Sequence, residues 1–374
     1  MGVPATRQSL VAPAPIGSTL VDIDRRRGRG SASNASGRFE SLARFAEDDG
    51  WNSTEELPPL RTEVQDEQAR KIITFNDSPD ISFDRSINPY RGCEHGCVYC
   101  FARPTHAHMG LSPGLDFETR LFAKPNAAAL LEKELAAKNY QPKTIAMGTN
   151  TDPYQPIERQ RRITRSILEV LDRTNHPVGI VTKSGLVTRD IDILARMAER
   201  GLAKVALSVT TLDAGLARSL EPRAATPSLR LKAIRQLAEA GIPVAVMVAP
   251  VIPRINDAEI ERILDAAHAA GAREGGYVML RLPLEVSGLM REWLAEHRPD
   301  ALNHVFSLVH STRDGKDYDS RWGLRMTGTG PYAWTVGRRF ELAAARLGLN
   351  ARRLKLRTDL FVRPSRAGDQ LSLF

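Results

Sequence analysis

The stretch Arg91-Gly92-Cys93-Glu94-His95-Gly96-Cys97-Val98-Tyr99-Cys100 holds all three cysteines of a 374-residue chain. Their spacing is C-x3-C-x2-C, in a loop punctuated by two glycines. Three thiolates this close together can ligate three irons of a cubane 4Fe-4S cluster and leave the fourth iron without a protein ligand. An open iron is a place for a small molecule to bind and react. The competing reading is a structural zinc, which takes four nitrogen or sulfur ligands, with His95, His106 or His108 completing the set. An odd number of cysteines crowded into one short loop of a long chain does not make a disulfide framework.

Outward from the loop, the pattern between residues 71 and 283 is regular. Runs rich in β-branched residues lie at 81–87, 144–148, 178–183, 204–209, 244–249 and 277–282. Segments of helical period separate them at 127–138, 157–172, 190–200, 229–240 and 257–270. Gly201, Gly241 and Gly271 stand where helix C-terminal glycines belong. Strand alternating with helix at this spacing predicts βαβ units and a parallel sheet with right-handed crossovers. Six strands are too few for the closed eight-stranded barrel. The expected fold is therefore α/β, an open (β/α)6 partial TIM barrel. Its functional groups would lie at the C-terminal ends of the strands, and Cys93 follows the first strand onto that face.

Four regions are expected. Residues 1–65 are rich in Arg, Gly, Ser, Ala, Pro and acids, and read as a flexible, loosely structured N-terminal arm. Within it, Arg25-Arg26-Arg27-Gly28-Arg29-Gly30 could touch phosphates or the protein's own acidic surface. Residues 66–285 form the barrel core and 286–363 a basic C-terminal extension, with helices at 289–295, 302–310 and 336–347. Residues 364–374 form a flexible tail.

The net charge of +8 is unevenly placed. From Arg321 to Arg366 there are eleven Lys and Arg against two acids, Glu341 and Asp359, with Trp322, Tyr332, Trp334 and Phe340 interleaved. Such a segment attracts polyanions, and nucleic acid is the expected partner. No apolar run approaches membrane-spanning length, so no membrane partner is expected. No basic segment followed by an apolar one marks a secretory signal. With reduced cysteines, this points to the cytoplasm.

Several motifs in this order are specific. They are Asn88-Pro89-Tyr90-Arg91-Gly92-Cys93, the cysteine spacing, Thr151-Asp152-Pro153-Tyr154-Gln155-Pro156-Ile157-Glu158, Thr182-Lys183-Ser184 and Leu220-Glu221-Pro222-Arg223. Together they resemble the radical S-adenosylmethionine (SAM) superfamily, and within it the spore photoproduct lyase-like proteins often labelled DNA repair photolyases. The resemblance covers about residues 65 to 350. The stretch from Arg27-Gly28-Arg29-Gly30 to Gly37-Arg38-Phe39-Glu40 resembles a subgroup with an N-terminal extension.

The resemblance implies a 4Fe-4S cluster on Cys93, Cys97 and Cys100, with SAM chelated at the open iron. It implies an electron donor such as flavodoxin or ferredoxin, and a 5′-deoxyadenosyl radical that abstracts hydrogen from the substrate. Asn150 and Asp152, after the second strand, are candidates for the methionine amino group. Lys183, Ser208 and Arg223 are further cofactor candidates; Arg223 would meet the methionine carboxylate or pair with Glu221. Spore photoproduct lyase uses a further cysteine as hydrogen donor, which this chain lacks. Tyr99 and Tyr154 are the candidate relays in its place.

The chain ends Gln370-Leu371-Ser372-Leu373-Phe374. The string resembles the bacterial sliding-clamp-binding motif, in which the glutamine bonds at a pocket rim and Leu and Phe fill it. The expected function is hydrogen abstraction from DNA, in repair, at the replication clamp. The alternatives are a radical SAM enzyme that modifies RNA or a nucleotide, and a non-catalytic zinc-bound nucleic-acid-binding protein.

Overall fold

The computed structural model describes residues 19–40 and 58–365. Ten strands run in chain order as β1 (Glu63–Asp66), β2 (Ile73–Phe75), β3 (Arg85–Ile87), β4 (Tyr90–Arg91), β5 (Arg120–Ala123), β6 (Ile145–Met147), β7 (Val178–Thr182), β8 (Ala203–Ser208), β9 (Val244–Val251) and β10 (Glu274–Met279). The main sheet has the order β10-β9-β8-β7-β6-β3-β2. Every pair in it is parallel except β2 with β3. The six parallel strands are the six expected from the sequence. β10 and β2 are the two ends of this order and do not pair with each other, so the barrel is open.

The helices are α1 (Asp116–Thr119), α2 (Ala127–Leu135), α3 (Glu158–Arg161), α4 (Ile163–Arg173), α5 (Ile191–Glu199), α6 (Ala214–Leu220), α7 (Pro227–Glu239), α8 (Ile260–Ala269), α9 (Glu285–His297), α10 (Leu302–Thr312) and α11 (Gly330–Arg346). Each barrel helix buries one apolar stripe, as α4 does with Ile163, Ile167, Leu168 and Leu171. α7 starts where Thr226 accepts the Leu229 N–H and Pro227 presets the first turn. None of the helices among the described residues is long and apolar enough to cross a membrane.

Four details differ from the sequence reading. The helix expected over 157–172 is two, α3 and α4, because Arg162 between them takes a left-handed φ of 51°. The last strand begins three residues earlier than expected. Gly275 and Gly276 hid it, and both face bulky neighbours: Leu264 and Phe340 at the first, Met247 at the second. A second sheet, β1-β5-β4, joins β1 parallel and β4 antiparallel to β5. It carries the chain directly into Gly92 and Cys93. Finally, the arm expected to be loose is packed over residues 29–34: Arg29, Ser31, Ala32 and Ser33 are buried. Backbone groups hold it, and composition does not reveal those.

The C-terminal extension divides. α9 and α10 cover the cysteine loop, where Val286, Met290, Trp293 and Phe306 share a core with Cys97, Val98 and Tyr99. α11 lies on α8 and joins the barrel core through Val336, Phe340, Ala343 and Ala344. Residues 354–363 then strap the opposite face, at the N-terminal ends of the strands. Leu354 N–H donates to Glu274, Arg357 N–H to the Gly201 carbonyl, and Val362 N–H to the Thr174 carbonyl. The clamp-like residues Gln370, Leu371, Leu373 and Phe374 lie outside the described residues.

The strap covers a buried histidine. His176 accepts from the Tyr140 hydroxyl at Nε2 (2.7 Å), while Nδ1 faces the Pro177 carbonyl at 3.1 Å and carries the proton. Burial lowers its pKa to about 4. The unfolded chain, with an ordinary imidazole, binds more protons between that value and about 6.5. Stability is therefore expected to fall as pH drops from 6.5 to 4, by about 1–3 kcal/mol from this residue. Urea melts at stepped pH check this; His176→Gln should flatten the slope across that window.

Candidate active site

The cysteine loop sits at the C-terminal mouth of the barrel, between β4 and α1. Asn88, just after β3, bolts it to the neighbouring loop: its side-chain oxygen accepts the Asn150 N–H at 3.1 Å and the Thr149 hydroxyl at 3.3 Å. The Cys93 N–H donates to the Phe117 carbonyl at 2.9 Å. Gly92 has φ +73°, and a Cβ there would meet Leu121, His106 and the Phe117 carbonyl at 2.6–2.9 Å. Only glycine fits.

Cys93 and Cys97 are buried, Cys100 is half-buried, and all three thiols are free. Burial pushes the Cys93 thiol well up, with Asp152 and Cys97 adding to it. Burial also raises Cys97, Glu221 adds to it, and nearby Lys183 works against the rise. The candidate histidines make other contacts, although His106 Nδ1 is buried without a hydrogen-bond partner. His95 Nδ1 lies 3.3 Å from Asp152, His106 Nε2 bonds the Arg120 carbonyl at 2.9 Å, and His108 packs on Phe39. Among the described residues, no group of three or more His, Cys, Asp or Glu side chains is closed on a metal-sized point. The loop thus offers three sulfur donors and no committed fourth ligand. That donor set fits a cluster with one open iron better than a saturated zinc.

A buried guanidinium holds the loop's shape. Arg103 donates to the carbonyls of Cys97 (2.9 Å), Gly96 (3.2 Å), Pro113 (3.0 Å) and Gly114 (2.8 Å), and pairs with Glu118 at 2.5 Å. Both side chains are fully buried. Gln155 adds a second brace, accepting the Glu94 N–H at 2.9 Å and donating to the Gly92 carbonyl at 3.2 Å.

Beside the loop stand the strand-end residues. Asp152 accepts the Lys183 N–H (2.8 Å), the Thr182 hydroxyl (2.7 Å) and the Tyr154 N–H (2.9 Å). Burial opposes its ionisation, yet facing His95 and these donors hold its pKa at about 2. The Lys183 ammonium lies 5.7 Å over the Tyr99 ring. The Tyr99 hydroxyl donates to Glu221 and lies 3.3 Å from the Thr210 hydroxyl. Glu221 is paired with buried Arg230, which also takes the Ser208 carbonyl at 3.0 Å.

The structure brings together the three cysteines, Tyr99, Asp152, Lys183 and Ser208. Asn150 is exposed on the rim. Arg223 does not pair with Glu221; it reaches Glu94 at 3.1 Å, inside the cysteine loop. Tyr154 departs from expectation. Its ring is fully buried in the barrel core, with Arg189 5.9 Å over it, while the cysteines belong to other clusters. The aromatic ring is buried with the barrel's apolar residues, Ile163 and Ile167 among them, and away from the cysteine-loop clusters.

The sequence is similar to known proteins over this same region. The model of the Radical SAM superfamily matches residues 87–267. An uncharacterized protein of Mycobacterium tuberculosis is 37% identical over 230 residues, covering 61% of this chain and 68% of the relative. The chain belongs to the radical SAM superfamily. An uncharacterized protein of Methanocaldococcus jannaschii is 29% identical over 193 residues, 51% of this chain and 69% of that one. Among solved structures, spore photoproduct lyase complexed with dinucleoside spore photoproduct is similar in fold, with a TM-score of 0.55 and 18% identity. The match covers 76% of this chain and 80% of that one. As a radical SAM enzyme, this protein is implied by its family to use SAM and an iron–sulfur cluster.

Proposed function

We propose that Cys93, Cys97 and Cys100 hold a 4Fe-4S cluster with one open iron, and that the enzyme abstracts hydrogen from a nucleic acid, in DNA repair. One observation carries the reading. The chain's only cysteines sit on the loop after the first parallel strand, at the mouth of an open barrel, between a buried anion and a lysine. When bound, the cluster and SAM supply one-electron cleavage of the sulfonium. The protein's residues do the rest. Asp152 fixes the Lys183 backbone, and the Lys183 ammonium, which lies over the Tyr99 ring, would pair with the methionine carboxylate. Ser208, the last residue of β8, and the Asn150 loop lie at the strand ends where the cofactor would lie, and Arg223 buttresses the cysteine loop through Glu94. Tyr99 holds its hydroxyl hydrogen at a fixed place against Glu221, and is the relay we favour.

The nucleic-acid part rests on the mouth more than on net charge. Phe101, next to Cys100, is 41% exposed, and Arg281 lies 4.6 Å over its ring. Exposed Trp322 follows on the loop after Tyr318, whose ring also lies near Arg281. Aromatic and guanidinium planes suit stacking on bases. Six of the eleven cations of the basic segment are already engaged in ion pairs. Arg321, Arg325, Arg338, Arg339, Arg346 and Arg357 pair with Asp319, Asp80, Glu341, Glu261, Asp265 and Asp359. The sliding clamp, through Gln370 to Phe374, and a flavodoxin- or ferredoxin-type donor are the proposed partners.

The test is anaerobic reconstitution, then a deuterium-transfer assay with labelled SAM against DNA lesions and RNA. Label entering a DNA lesion supports the reading. Transfer to RNA alone, or stoichiometric zinc without cleavage, overturns it. Lys183→Met is expected to weaken SAM binding about ten- to hundredfold, the worth of one hydrogen bond to a charged group, without changing iron content. Equilibrium binding to the reconstituted protein checks it.

A further inference from the structure

Residues 19–34 form a loop closed on itself. Val21 N–H donates to the Ala32 carbonyl at 2.9 Å, and Asn34 N–H to the Thr19 carbonyl at 3.0 Å. Its tip is pressed into the cysteine loop. The N–H groups of Gly30 and Ser31 each donate to a different oxygen of Glu118, both at 2.9 Å. A Cβ on Gly30 would lie 1.7 Å from the Gly96 carbonyl oxygen, backbone against backbone. Arg29 donates to the Glu118 carbonyl at 3.1 Å and to Thr62 at 3.0 Å. Thr62 in turn donates to Glu94 at 2.6 Å. Asn34 and Asp116 exchange two bonds, of 2.9 and 3.1 Å, just ahead of Glu118.

These contacts converge on Glu94 and Gly96, two of the three residues between Cys93 and Cys97. They also share the carboxylate that neutralises Arg103, the residue bonded to the Gly96 and Cys97 carbonyls. We propose that residues 29–34 are a clasp, with Gly30 as positioning residue. The clasp fixes the Cys93–Cys97 segment and shields its thiols whether or not metal is bound. The inference rests on the reading that these cysteines hold an iron–sulfur cluster, but half of its test does not. The clasp acts by lowering the local opening of the loop, which exchange and modification rates report directly.

The test uses the full chain. In metal-free protein, Gly30→Ala is expected to speed iodoacetamide labelling of Cys93 and Cys97 by about tenfold or more. The barrel's circular dichroism should be unchanged, and exposed Arg27→Ala should label like wild type. In reconstituted protein, the same variant should lose iron to a chelator faster than wild type. A folded Gly30→Ala protein with wild-type labelling and wild-type iron release overturns the clasp. If wild type holds no iron, the cluster reading fails and the thiol rates alone decide the clasp. If Gly30→Ala does not fold, Arg29→Gln is read in the same assay. It removes the guanidinium while leaving Gly30 against Gly96, and unchanged labelling there overturns the proposal.

Discussion

Cys93→Ala, Cys97→Ala and Cys100→Ala are each expected to abolish cluster retention and to cut SAM cleavage by at least about a thousandfold, because the reaction belongs to the cofactor pair and two thiolates do not hold a cubane. The metal-free fold should survive. Each change deletes one small side chain from a loop already braced by Arg103 and Gln155. Iron and sulfide content and 5′-deoxyadenosine yield are the measurements, with a melt of the apo protein as control. Retained cleavage in any one of the three would remove that residue from the ligand set. Retained cleavage in all three would remove the mechanism.

The second large effect is on stability. Arg103→Met leaves the buried Glu118 carboxylate without its ion-pair partner, and takes one donor from each of four carbonyls. Breaking a buried pair from one side costs about 3–5 kcal/mol. Urea unfolding of the apo protein should show that loss. Arg103→Met with Glu118→Gln should recover part of it, since the stranded charge is gone. Recovery stays incomplete because the Gly30 and Ser31 N–H groups lose a carboxylate acceptor. If the single variant loses under about 1 kcal/mol, the pair is not what holds the loop.

The barrel was legible because its signals are local and repeated. Val178–Thr182 and Val244–Val251 are β-branched runs of strand length, and Gly201, Gly241 and Gly271 end the helices before the next strand with φ of +71°, +76° and +111°. The cysteines, Asp152 and Lys183 were legible because each sits at or just beyond such a strand's end. The β1-β5-β4 sheet was not, since strands of two to four residues are too short to show a period. Nor were Arg103, Glu118, Glu221 and Arg230. A lone charged residue reads as solvated until its partner is seen, and these partners meet only in the fold. The same blindness hid the partners of Arg325, Arg339 and Arg346 within the basic segment 321–366, because Asp80, Glu261 and Asp265 are distant in sequence. The arm misread for a related reason. Glycine and serine suggest freedom, yet here their small size lets the backbone approach Gly96 and Glu118 closely.

The strap across the underside has a consequence for biosynthesis. Residues 354–363 are the last described part of the chain to leave the ribosome, yet they link the starts of β10, β8 and β7 and bring Phe361 against His176 and Tyr140. The nascent barrel must therefore gather its strands unbelted and be cinched only once residues 354–363 have followed them. A chain cut near residue 350 would keep every catalytic candidate and leave its base unfastened.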